Sequence, residues 1–146
     1  MSYLTQKTIK NDVTFSGIAL HSGLNVNVCL KPAKPNSGII FKRVDIQENN
    51  IVYPNFMNVT NTSLNTTVEN EFGIKVSTIE HLMCALFGLG IDNLLIEIDN
   101  EEVPILDGSA KLFIENISSA GIDVSDSPIK IIKIKKEIEY SEGNRS

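Results

Sequence analysis

Ser77-Thr78-Ile79-Glu80-His81-Leu82-Met83-Cys84-Ala85-Leu86-Phe87-Gly88-Leu89-Gly90-Ile91-Asp92-Asn93-Leu94-Leu95-Ile96-Glu97-Ile98-Asp99 changes its apolar period part-way along. The first half reads as a helix. Ser77-Thr78-Ile79-Glu80 has the S-x-x-E form of a capping box, in which serine and glutamate satisfy each other's backbone N–H groups. Leu82, Met83, Ala85, Leu86 and Phe87 supply an apolar run, and Gly88 and Gly90 are natural C-terminal stops. The second half has period two. Leu94, Ile96 and Ile98 alternate with Glu97 and Asp99, as in a half-buried strand.

The same signals recur on both sides. Leu24, Val26, Val28 and Leu30 alternate with Asn25, Asn27, Cys29 and Lys31, and residues 13–20 and 39–44 read as further strands. His21-Ser22-Gly23 lies between two of these runs and reads as a tight turn, with Gly23 free to take positive φ. Downstream, Asp107 or Ser109 can cap a second helix whose stripe is Leu112, Phe113, Ile117 and Ala120, ended by Gly121. With 20 Ile, 10 Val and 8 Thr the composition leans toward strands. Strands before, between and around two helices predict an α+β two-layer sandwich.

Three stretches depart from this pattern. Residues 49–70 are rich in Asn and Thr and read as a strand interrupted by a long polar loop, where binding surfaces often sit. Residues 123–128 are polar and turn-forming and read as a linker. Beyond them, Ile132, Ile134, Ile138 and Tyr140 alternate with charged residues as a strand would, and Glu142-Gly143-Asn144 reads as a hairpin turn. The sequence ends at Ser146, before a returning arm, so a truncated protein is expected. The implied organisation is a first domain over residues 1–122, a linker over 123–128 and the start of a second domain over 129–146.

The 146 residues amount to about one domain. Apolar residues at 42% and charged residues at 21% exclude a disordered chain. A net charge of −5 opposes a nucleic-acid binder working through a basic face. No apolar run reaches the roughly 18 residues of a membrane span. Residues 1–12 are too polar for a signal peptide, so a cytoplasmic address is expected. Cys29 and Cys84 are too few for a disulfide scaffold.

Two histidines, His21 and His81, limit the chemistry. Glu80-His81 at the start of a helix offers a base and a metal ligand side by side, the pair a metal hydrolase requires. Capping alone would also explain Glu80, and His81 beside it could be simply packed or exposed. Cys84, three residues after His81, raises a His/Cys metal pair, but its apolar neighbours favour a buried small hydrophobe. Cys29 has no evident partner, and Asp107 is most simply a turn and cap residue.

Four motifs taken together say more than their spacing: Gly17-Ile18-Ala19-Leu20-His21-Ser22-Gly23, Ser77-Thr78-Ile79-Glu80-His81-Leu82, Gly88-Leu89-Gly90-Ile91-Asp92-Asn93 and Pro104-Ile105-Leu106-Asp107-Gly108-Ser109-Ala110. In this order they resemble the zinc-dependent UDP-3-O-acyl-N-acetylglucosamine deacetylases of lipid A synthesis. The resemblance implies two similar α+β domains, each a mainly antiparallel sheet on two helices like the second domain of ribosomal protein S5, with the active site between them. It implies hydrolysis of the N-acetyl group to free amine and acetate, with His81 as one of three zinc ligands and Glu80 as general base. The other two ligands belong to an H-x-x-x-D motif of the second domain, which has no counterpart here. The family's later catalytic histidine and oxyanion-stabilising threonine would also lie beyond Ser146.

By the same resemblance Leu64 lines the substrate region and Arg145 falls where a lysine meets the substrate diphosphate; His21, on its Gly-containing turn, is a candidate to line the pocket of the UDP-linked substrate, or is simply exposed. Asn65 stands where some family members have cysteine. A chain with one zinc ligand is expected to be inactive alone, and the alternative reading is a non-catalytic remnant or binding module complemented by a separate second-domain chain.

Overall fold

The computed structural model describes residues 4–143. The order is β1 (Thr5–Ile9), β2 (Val13–Ile18), β3 (Asn25–Pro32), β4 (Ile39–Arg43), β5 (Ile51–Val52), a 3-10 turn (Phe56–Asn58), β6 (Val59–Asn61), β7 (Thr67–Glu69) and β8 (Lys75–Val76). Then come α1 (Glu80–Leu89), β9 (Leu94–Ile98), α2 (Lys111–Ser119) and β10 (Ile122–Pro128). The fold is α+β, with a mainly antiparallel sheet and two helices. The principal sheet runs β2-β3-β9-β4-β5, and in it only β4 and β9 pair in parallel.

Alternation in sequence becomes two faces in space. Val26, Val28 and Leu30 of β3 and Leu94, Ile96 and Ile98 of β9 are all buried. They form one core with Phe41 and with Leu82, Ala85, Leu86, Phe113 and Ile117 of the helices. Each of the valine, leucine, isoleucine and phenylalanine side chains contributes about 1.5–3 kcal/mol by leaving water. Phe113 meets Phe15 edge-on, with ring centroids 5.6 Å apart and planes at 79°. On the opposite face Glu97 accepts from Lys31 at 2.7 Å and from Lys42 at 3.0 Å, a rung across three neighbouring strands.

The second helix is capped as its sequence suggests: Ser109 Oγ accepts the Lys111 N–H at 3.1 Å, and Asp107 Oδ1 accepts the Ser109 N–H at 3.0 Å. Phe113, Ile117 and Ala120 are buried and Leu112 half-buried. Gly90 and Gly121 follow the two helices with φ of +68° and +74°.

Several local expectations are corrected. Residues 123–128 are not a linker, because Ile122–Pro128 pairs antiparallel with β1 as a two-stranded ribbon. Backbone pairing asks for no apolar alternation, so a ribbon this exposed leaves almost no periodic trace. The Gln6 side chain fastens it, donating to the Pro128 carbonyl at 2.8 Å, while Ser125 Oγ donates to the Gln6 carbonyl. Residues 129–141 form no strand despite their alternation, and Ile132, Ile134, Ile138 and Tyr140 are exposed. A period-two pattern needs a backbone partner to become a strand, and among the described residues none pairs with this one. The hairpin turn expected at 142–144 extends outside the described residues. Residues 49–70 are broken into β5, the 3-10 turn, β6 and β7, and β6-β7-β8 make a separate small sheet.

Candidate functional site

The first turn of α1 is not held by a capping box. Ser77 is instead part of a parallel bridge to Glu102: its N–H donates to the Glu101 carbonyl at 2.8 Å, and its own carbonyl accepts the Val103 N–H at 3.0 Å. The Ser77 N–H and hydroxyl thus both go to the Glu101 carbonyl, and the Glu80 carboxylate accepts from Thr66, so the groups of a capping box are engaged elsewhere. Thr78 then takes φ +55°, a left-handed conformation that is unusual for a β-branched residue. Ile79 returns to helical angles, and Glu80 opens the helix. The segment 101–103 therefore sets where α1 begins and which way Glu80 and His81 face.

One carboxylate lies at the centre of this arrangement. Glu102 is 4% exposed. Its Oε1 accepts the His21 N–H at 2.9 Å and the Thr78 hydroxyl at 3.1 Å, and its Oε2 accepts the Ser22 N–H at 2.8 Å. Burial pushes its pKa up, but the backbone N–H groups of His21 and Ser22, helped by the Ser22 and Thr78 side chains, outweigh this and hold it below the usual carboxylate range. The turn at His21 is tight, as expected: Ala19 N–H donates to Leu24 O at 2.9 Å, Gly23 N–H donates to Ala19 O at 3.0 Å, and Gly23 takes φ +70°.

A cleft of about 640 Å³ opens beside this turn, lined by His21, Ser22, Asn65, Thr67, Ser77 and Glu102 among others. Glu80 and His81 are not in its lining. They lie at its margin through the chain: the Glu80 carboxylate accepts the backbone N–H of Thr66, which stands between the lining residues Asn65 and Thr67. His81 is half-buried and Glu80 exposed, so neither ring nor carboxylate is sealed in the core. Leu64 is at the tip of the loop, 92% exposed and with φ +66°. The structure thus gathers His21, the 64–67 loop and the start of α1 at one end of the sheet. Arg145 lies outside the described residues.

Two cysteine readings change. Cys84 is exposed rather than buried, because the buried stripe of α1 is Leu82, Ala85 and Leu86. Cys29 is half-buried on the outer sheet face, where burial is the main influence raising its thiol pKa. Among the described residues no three His, Cys, Asp or Glu side chains converge as a metal site. A catalytic zinc takes three protein ligands and an open position, so these residues do not by themselves fit a resident zinc. Glu102 is the residue sequence reasoning missed. It is one of two adjacent glutamates, and only the bridge to Ser77 decides that the second, not Glu101, turns inward.

Residues 6–146 match the family described as UDP-3-O-acyl N-acetylglycosamine deacetylase, LpxC. The chain belongs to that family. The UDP-3-O-acyl-N-acetylglucosamine deacetylase of Pseudoalteromonas atlantica is 44% identical to it over 142 residues, and that of Photobacterium profundum 43% over 143. Each match covers 97% of this chain and 47% of the relative, so the chain spans about half the length of the curated relatives it matches. In this LpxC-family chain the matched region takes in every described element and the whole neighbourhood of the cleft. No helix among the described residues is long and apolar enough to cross a membrane.

Proposed function

We propose that this chain forms the first half of a zinc-dependent deacetylase that hydrolyses the N-acetyl group of a UDP-linked, 3-O-acylated N-acetylglucosamine. What carries the reading is the family match over residues 6–146 together with Glu80 and His81 at the opening of α1, beside an open cleft. His81 supplies one zinc ligand, and the remaining ligands come from a second domain, encoded in the same or a complementing chain. Glu80 is the general base: one oxygen is oriented by the Thr66 N–H, and the other takes the proton of the attacking water. His21 and the exposed Leu64 border the region where the substrate lies, and Arg145 is assigned to its diphosphate by its place in the sequence alone.

The ribbon supports ending the first domain at β10, with the residues after 128 leading into a second domain, where their exposed isoleucines would gain a strand partner.

Acetate release from the UDP-linked substrate tests this, with the missing half of the Pseudoalteromonas atlantica relative supplied in trans or as a fusion. The assembled protein is expected to deacetylate, and Glu80→Gln to lose about 10²–10⁴-fold in kcat, the usual worth of a positioned acid or base. Undiminished turnover by Glu80→Gln would remove Glu80 from its role.

A further inference from the structure

Two distant turns meet at one side chain. The His21 turn and the strained Thr78 lie more than fifty residues apart in the chain, and each bonds the Glu102 carboxylate, while the backbone on either side of Glu102 makes the bridge to Ser77 just before α1. The carboxylate has no cationic partner among the described residues. It is held by the backbone N–H groups of His21 and Ser22 and by the hydroxyls of Thr78 and Ser22, which fix direction more tightly than a mobile ammonium would. Thr78 in the left-handed region costs about 1–3 kcal/mol, and such strain persists only where surrounding contacts over-determine it. Its hydroxyl bond to Glu102 and the flanking Ser77 backbone bonds are those contacts.

We propose that Glu102 is a positioning residue, a buried clamp that sets the His21 turn against the Glu80–His81 turn by holding the backbone of the first and the strained threonine that precedes the second. The inference rests on reading His21, Glu80 and His81 as site residues, but it concerns geometry that exists without substrate or metal. Glu102 itself touches neither Glu80 nor His81. Shortening or neutralising it releases both turns at once, because Oε1 accepts from both His21 and Thr78.

Nuclear magnetic resonance of the chain tests this, and it contains only two histidines, so both rings are resolved without ambiguity. Glu102→Gln retains an acceptor oxygen but presents an amide N–H to at least one donor. Exchange protection of the His21 and Ser22 amides should fall about tenfold or more, as for loss of a bond to a charged acceptor. The His81 ring and the Thr66 amide should shift in the same variant. Thr78→Val should move the His21 amide, while Thr78→Ser, which keeps the hydroxyl, should restore it.

The proposal is overturned if Glu102→Gln disturbs His21 and Ser22 but leaves the His81 ring and Thr66 amide at their wild-type positions. It is also overturned if Thr78→Val leaves the His21 amide unmoved. Should Glu102→Gln fail to fold, the Thr78→Val and Thr78→Ser pair decides alone. None of these readouts measures deacetylation, so the clamp and the proposed activity can fail separately.

Discussion

Gly17 shows how a single atom constrains the site's surroundings. A Cβ there would come within 2.9 Å of Leu106 Cδ2 and 3.1 Å of the Pro104 Cβ. The tip of Leu106 can turn aside only as far as its packing against the core allows, and the proline ring cannot swing at all. Gly17→Ala is therefore expected to destabilise the fold by about 1–3 kcal/mol, the usual range for overpacking, read as a lowered urea midpoint with an unchanged slope. An unchanged midpoint would mean that the Pro104–Leu106 strap is not seated as described. At this scale the sequence was legible where residues belong to motifs. His21, Glu80 and His81 stand out because they occur in a recognisable order with Gly17 and Asp107. Glu102 does not stand out, because its burial follows from a long-range bridge and not from its neighbours.

The elements were legible in proportion to their apolar period. β3, β9 and α2 alternate or repeat cleanly because one face of each meets the core, and they form within a residue or two of where the pattern puts them. β10 is mostly exposed, and its partner β1 is mainly polar with Ile9 its one apolar buried residue, so neither carries an apolar period. The start of α1 was misread for a different reason: Ser77 and Glu80 fit a capping box locally, but the bridge to Glu102 and the loop at Thr66 took both partners. A pH dependence belongs at this scale. Hydrogen bonds from Lys31 and then Lys42 hold the Glu97 carboxyl below its ordinary range, against the opposing effect of burial. A depressed carboxylate stabilises the fold above its unfolded pKa near 4.3 and ceases to do so as pH falls through its folded value. Glu97→Gln should thus cost about 0.5–1 kcal/mol at pH 7, allowing for the partial exposure of both lysines, and nothing measurable at pH 2. Thermal melts at the two pH values check it, and an equal loss at both would contradict the ion-pair account.

For the whole molecule, the α+β class follows from strands and helices alternating along the chain, and the structure has that class. What sequence could not show is how the polar region between β4 and α1 folds into a second small sheet that brings Asn65 and Thr67 to the cleft beside His21. That arrangement depends on backbone pairing between β6, β7 and β8, whose short stretches carry no period of their own. The molecule has a plain asymmetry: Glu80, two imidazoles and a cleft are present at one end of the sheet, but no three-ligand cluster is found among the described residues. Zinc titration against a competing chromophoric chelator, for this chain alone and with the missing half of a relative, addresses that asymmetry directly. Catalytic-strength binding should be absent from the chain alone and appear as one ion per assembled pair, lost in His81→Ala. Micromolar or tighter zinc binding by the chain alone, or an assembled pair whose zinc survives His81→Ala, would contradict it.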